Sequence, residues 1–211
     1  MTPRILAACI GAALLFTLPQ AAEACSRSVS KKAAQTVVPA KKINQGLLDS
    51  AIRAEVNFHR CRAGLPALKS AGNGMASQAK KHSVWMARTQ QLTHKSTVPG
   101  ASSLKQRVKK SGVKFRTASE NIGMVHRYQI DNKRFKILSS SDCRFATYDG
   151  QSLPAHSYAS LARHAVSLWM NSPGHRKNIL DKRVKVVSTA VAFNSKAQYC
   201  GQYWLTQNFI G

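Results

Sequence analysis

The chain has 211 residues, enough for one ordinary domain with a hydrophobic core, and carries 32 Lys and Arg against 8 Asp and Glu, a net charge of +24. Such an excess opposes the gathering of cations by bulk charge. It attracts anionic lipid headgroups, acidic envelope polymers or nucleic acid over long range, in a way that salt weakens.

The N-terminus has the pattern of a secretory leader over residues 1–24. A single cation at Arg4 precedes an uncharged apolar run from Ile5 to Leu18, then Pro19 and the small-residue pattern Ala22-Glu23-Ala24. That run is too short to span a bilayer, and no later stretch is apolar enough to do so. The expectation is cleavage near Ala24 and a secreted or periplasmic protein. Leu6-Ala7-Ala8-Cys9 resembles a bacterial lipoprotein box, but almost no apolar stretch precedes it. Residues 25–44 are Ser, Lys, Ala and Val without a helical or strand period, and read as a flexible basic arm.

Loss of Cys9 with the leader leaves Cys25, Cys61, Cys143 and Cys200, an even set in a compartment where disulfides persist. Three connectivities are open to them. The favoured one pairs Cys143 with Cys200, stapling a long loop to a C-terminal strand, and Cys25 with Cys61, tying the arm to the first helix. Each bridge contributes ~2–4 kcal/mol. The four cysteines are far apart and form no CxxC pair, which argues against a thiolate metal site.

From about Gln45 to Arg62, Leu47, Leu48, Ala51, Ile52 and Phe58 recur at helical spacing until Gly64-Leu65-Pro66. A second helix runs from about Gly74 to Thr89 over Met75, Ala79, Val84 and Met86. On it, His82 reads as a partnered structural histidine. A short helix from about Ser102 to Lys110 precedes strand-like alternation over Val113 to Thr117, which places Glu120 at that strand's end. Residues 127–157 are basic, serine-rich and irregular, and read as an insertion loop containing Cys143. Ser160 to Asn171 is helical, Pro173-Gly174 breaks it, and His175 opens a new short helix. Val184 to Phe193 and Gln198 to Ile210 close the chain as strands, with a turn at Asn194-Ser195-Lys196. The mixture predicts an α+β layered domain.

Three short strings concentrate the chemistry: Leu92-Thr93-His94-Lys95-Ser96, Ser119-Glu120-Asn121-Ile122, and Ser172-Pro173-Gly174-His175-Arg176-Lys177-Asn178-Ile179-Leu180. They hold two histidines and a scarce glutamate among turn-forming residues. The eight acidic residues are Glu23, Asp49, Glu55, Glu120, Asp131, Asp142, Asp149 and Asp181. A carboxylate kept amid so many cations is either functional, or the cap of a turn or the partner of an arginine.

With Asn57-Phe58-His59-Arg60 before Gly64-Leu65 and the terminal Thr206-Gln207-Asn208-Phe209, these strings resemble the CAP superfamily in its bacterial secreted branch. The superfamily takes its name from cysteine-rich secretory proteins, antigen 5 and pathogenesis-related proteins. The resemblance covers roughly Leu47 to Gly211 and places a CAP (SCP-like) domain over 45–211. It implies a three-layer α-β-α sandwich whose central cleft commonly presents two histidines and two acidic residues. His94 and His175 match the histidines and Glu120 the first acid. Eukaryotic relatives carry a glutamate three residues after the helix tryptophan. Here that position after Trp169 is Ser172, as it often is in bacterial relatives.

Two chemistries fit these residues. In the first, the chain is a binding module whose cleft lies at His94, Glu120, His175 and Ser172, whose basic exterior holds anionic lipid or acidic envelope polymer, and which needs no cofactor. In the second, His94 and His175 hold zinc or another divalent ion, with Glu120 as third ligand or base, in a metal-assisted hydrolase. Ser172 and His175 do not define a serine-nucleophile geometry, and no GxSxG elbow exists. The densest basic run, Lys105 to Arg116, has six Lys or Arg in twelve residues. It carries no nucleic-acid motif with interleaved aromatics, and export favours an envelope component over a genome.

Overall fold

The computed structural model describes residues 25–211, and the expected leader over 1–24 lies outside the described residues. Helix α2 (Gln45–Arg62) starts where the Asn44 side chain accepts the Leu47 N–H, and buries Leu48, Ala51, Ile52 and Val56 along one stripe. Helix α3 (Gly72–Thr89) buries Met75, Ala79, His82 and Met86, again at spacings of three and four. Helix α4 (Leu104–Lys110) opens with a Ser103/Gln106 capping box. Helix α5 (Tyr158–Asn171) buries Leu161, Ala165 and Trp169, and α6 (Pro173–Ile179) follows at once with proline at its first position.

Four strands, β1 (Lys69–Ser70), β2 (Ala118–His126), β5 (Val186–Asn194) and β6 (Gln202–Ile210), form one sheet in the order β1-β5-β6-β2. Only the β1–β5 pairing is parallel. Side chains alternate across the sheet. On β6, Tyr203, Leu205 and Phe209 join the core with α2 and α5, whereas Trp204 and Ile210 lie in clusters with Met86 and Met75 of α3. The sheet is therefore the middle layer of an α-β-α sandwich, in agreement with the expected class.

The structure corrects the reading of 25–44 as a flexible arm. Helix α1 (Lys31–Gln35) is capped by Ser30, and Ala33 and Val38 are at most 1% exposed in the main core. Val38 N–H donates to the His156 carbonyl, and the Tyr203 hydroxyl donates to the Val38 carbonyl. Arg27 pairs with Glu55 at 3.0 Å and lies over the Phe58 ring, beside the Cys25–Cys61 disulfide. Isolated apolar residues docked by a crosslink produce no period, so composition alone misreads them.

Two further expectations shift. Residues 113–117 form no strand, because Val113 and Phe115 pack beneath α4 while the Arg116 and Thr117 amides donate to the Gly211 carbonyl. Pairing with β6 begins only at Ala118. The insertion, read as irregular, contains a hairpin of β3 (Lys136–Ser139) and β4 (Arg144–Ala146) over its own small core of Ile130, Phe145 and Leu153. The Cys143–Cys200 disulfide ties it to the β5–β6 connection, so both favoured cysteine pairings are present.

His156 closes the insertion onto α5, with its Nδ1 at 2.9 Å from the Ser160 hydroxyl. Burial, and secondarily the nearby His164, pushes its pKa down to about 4. The unfolded chain binds a proton at a pKa of about 6.5, so stability falls as pH drops from about 6.5 toward 4. The full effect is roughly 3 kcal/mol. Urea denaturation between these pH values should show that loss in the wild type and a flatter profile in His156→Gln. Equal profiles would contradict a buried neutral imidazole.

Candidate functional site

Glu120 is the third residue of β2. It shares a sheet face with Ile122, which packs on Met86 and Ala87, so its carboxylate points into the α3–α4 layer. There Arg107 of α4 meets it: Nη2 donates to Oε1 at 2.8 Å and to Oε2 at 2.7 Å. The same nitrogen donates to the His94 carbonyl at 3.1 Å, and Nη1 reaches the Ala101 and Ser102 carbonyls. Arg107 is 1% exposed and Glu120 is 6% exposed. This is a buried, hydrogen-bonded ion pair.

His94 donates from Nδ1 to Glu120 Oε1 at 2.9 Å, while about half of its side chain faces solvent. His82, on α3, has its Nε2 at 3.9 Å from the same oxygen and at 3.0 Å from the Thr93 carbonyl, to which it donates. Burial pushes the His82 pKa down, and Glu120 partly opposes that. His82 is thus the partnered structural histidine expected.

The opposite face of β2 meets α6. Asn121, fully buried, donates from Nδ2 to the His175 carbonyl and to Gln207 Oε1, both at 3.3 Å. Asn178 donates to Asn121 Oδ1 at 2.9 Å and to the Glu120 carbonyl at 3.3 Å. These amides hold α6 against the sheet. His175 is half-buried, and burial and then the proximity of His94 lower its pKa. His94 and His175 therefore flank β2, the edge strand, from opposite layers.

Ser172 ends α5 and begins α6, without a side-chain capping bond. It and His175 line a hollow of about 210 Å³ whose other walls include Ile122, Val125, Leu168 and Trp169. The indole N–H of Trp169 donates to the Ile122 carbonyl at 2.9 Å. Gly123 eases that approach, since a Cβ there would lie 3.2 Å from the indole nitrogen and crowd it.

The structure thus gathers His94, Glu120, His175 and Ser172 at one edge of the sheet. Sequence reasoning missed Arg107, which looked like one more cation in the basic run. The available signal was its spacing of three from Leu104 on the inward face of α4. The buried amides of Asn121 and Gln207 and the half-buried amide of Asn178 were likewise unassigned.

The model of the Cysteine-rich secretory protein family, CAP, matches residues 53–209. The chain belongs to the CAP family. No curated protein matches it in sequence. In fold, this CAP domain is similar to an extracellular SCP-domain protein from Bacillus anthracis, with a TM-score of 0.50 and 24% identity over 80% of this chain. The match spans 42% of that protein's length. It is also similar to an outer surface protein of Borrelia burgdorferi, with a TM-score of 0.54 and 13% identity over 82% of this chain and 98% of that one.

Arg107→Met leaves the Glu120 carboxylate buried without its cation, which should cost about 3–5 kcal/mol in chemical denaturation. Glu120→Gln should cost a similar amount, and the double variant less than the sum. A loss below about 1 kcal/mol in the single variants would mean that the pair behaves as a surface salt bridge.

Proposed function

We propose that this CAP domain is an exported binding module that engages anionic lipid or acidic envelope polymer through its basic exterior, with the His94, Glu120, His175 and Ser172 cleft as a ligand pocket. The carrying observation is how the acidic groups are used. Every acidic side chain among the described residues is engaged locally. Asp49 pairs with Arg53, Glu55 with Arg27 and Arg163, Glu120 with Arg107, and Asp181 with Arg183. Asp131 lies between His126 and His164, and Asp142 and Asp149 accept from Ser139 and Thr147.

Meanwhile Lys105, Lys109, Lys110, Lys114 and Arg116 are exposed, with no carboxylate against them in any of these pairs. The outward field is positive, as capture of an anionic surface requires. Two disulfides and extracellular or surface proteins as structural neighbours support export.

The expected outcome in co-sedimentation is binding to vesicles containing phosphatidylglycerol at about 0.05 M salt and release at about 1 M, where the Debye length falls to about 3 Å. Lys105→Glu with Lys109→Glu should weaken it. No sedimentation at low salt would reduce the charge to a solubility trait.

The residues do not fit the three-ligand metal site of the hydrolase reading. Arg107 takes both oxygens of Glu120, and no group of three His, Cys, Asp or Glu among the described residues is placed to hold a metal ion. Zinc titrated calorimetrically should give no heat that is lost in both His94→Ala and His175→Ala. Heat lost in both would restore the metal reading.

A further inference from the structure

Helix α3 has a second open face. Lys80, Val84 and Arg88, four residues apart along one stripe, line two adjoining hollows of about 620 Å³ and 580 Å³. Each is of a size that takes a small-molecule ligand. The first hollow lies between the 40–45 segment and the turn after β5, over an apolar floor of Ile43, Val84, Ala87, Ala192 and Phe193. The second continues past Trp85 and Val98, and Val98 is 37% exposed. The Trp85 indole N–H is already donated to Thr97 and its ring stacks on His82.

The rim has one sign of charge. Lys42, Lys80, Lys81, Arg88 and Lys196 surround the two hollows, and no acidic side chain lines either. Lys80 is held inward by donating to the Val191 carbonyl, and burial pushes its pKa down. Apolar surface left in water and like charges crowded at its edge are both unfavourable. An occupant that relieves both has a long apolar chain and one anionic head. A short anion relieves only the second, and a neutral chain only the first.

We propose that this groove binds a single-chain anionic amphiphile, its alkyl chain along Val84, Ala87 and Phe193 and its phosphate, sulfate or carboxylate head among Lys42, Arg88 and Lys196. The site is separate from the His94 and His175 cleft and does not depend on the surface reading above.

The test is calorimetric titration of the disulfide-intact protein with octyl and dodecyl phosphate below their micelle concentrations. Inorganic phosphate and dodecyl maltoside serve as head-only and chain-only controls. Burial of methylenes in an open groove gives roughly twofold tighter binding for each one, so dodecyl phosphate should bind at least about 10-fold tighter than octyl phosphate. Arg88→Glu with Lys196→Glu should weaken dodecyl phosphate at least about 10-fold, and Val84→Asp should do the same. Lys31→Glu with Lys32→Glu changes the net charge equally and should leave binding within about twofold.

Affinity independent of chain length, inorganic phosphate binding as tightly as dodecyl phosphate, or equal weakening by the α1 variant would overturn the groove and leave a diffuse basic patch. Dodecyl maltoside binding as tightly as dodecyl phosphate would overturn the anionic specificity. Loss of amphiphile binding in the groove variants while vesicle co-sedimentation persists supports two separate sites. Absence of co-sedimentation with intact amphiphile binding sinks the surface reading alone.

Discussion

The pair of Arg107 and Glu120 is where the architecture of this protein converges. Its members come from α4 and β2, and the guanidinium also holds the carbonyl of His94 while the carboxylate holds the same residue's ring. His82 brings α3 to the same carboxylate. A buried charge is costly unless it is paired and fully hydrogen-bonded, so these groups are mutually obligatory. In a chain with a net charge of +24 the requirement is one-sided: cations are abundant and carboxylates scarce. One glutamate therefore orients four segments, and with them the exposed imidazole of His94.

The same scarcity shapes the exterior. Glu55 anchors the N-terminal segment through Arg27 and meets α5 through Arg163. Asp131 joins the end of β2 to α5 through His126 and His164, and Asp49 accepts the amide of Thr189 in the central sheet. Acids used as internal ties cannot screen the surface, where like charges repel and destabilise the compact state. The covalent ties lie where the core is thinnest. One disulfide fixes the N-terminal segment, and the other fixes the insertion with its small separate core.

The three long helices were legible because their apolar residues recur at the helical period, and α2 and α3 begin and end close to where that period does. The two C-terminal strands were legible, but β2 was not, since the strand-like alternation lies over Val113 to Thr117, just before it. Asn121, Gln207 and Asn208 are polar yet buried, so β2 and β6 hide the alternation that marks a strand with one wet face. The arm was misread because Ala33 and Val38 each dock singly, and the two-residue β1 is too short to carry a pattern. The site histidines and Glu120 were visible through motif strings, but Arg107 was not. Its spacing from Leu104 marks the inward face of α4, but its partner lies thirteen residues away on another element, and that pairing is not encoded locally.

The arrangement also sets the sign of charge that the cleft can present. Glu120 is paired with Arg107, and Ser172 stands where the family resemblance places a second acid in eukaryotic relatives, so none of the four residues gathered there offers an unpaired carboxylate. The other two side chains, the imidazoles of His94 and His175, are never anionic in this setting. Burial, and then the nearby His94, lowers the pKa of His175. The adjoining hollow, walled by Ile122, Val125, Leu168 and Trp169, adds apolar surface. In the proposed binding reading, a cleft of that charge beside an apolar hollow suits a neutral or anionic ligand better than a cation, in keeping with a fold whose buried acids are paired inside.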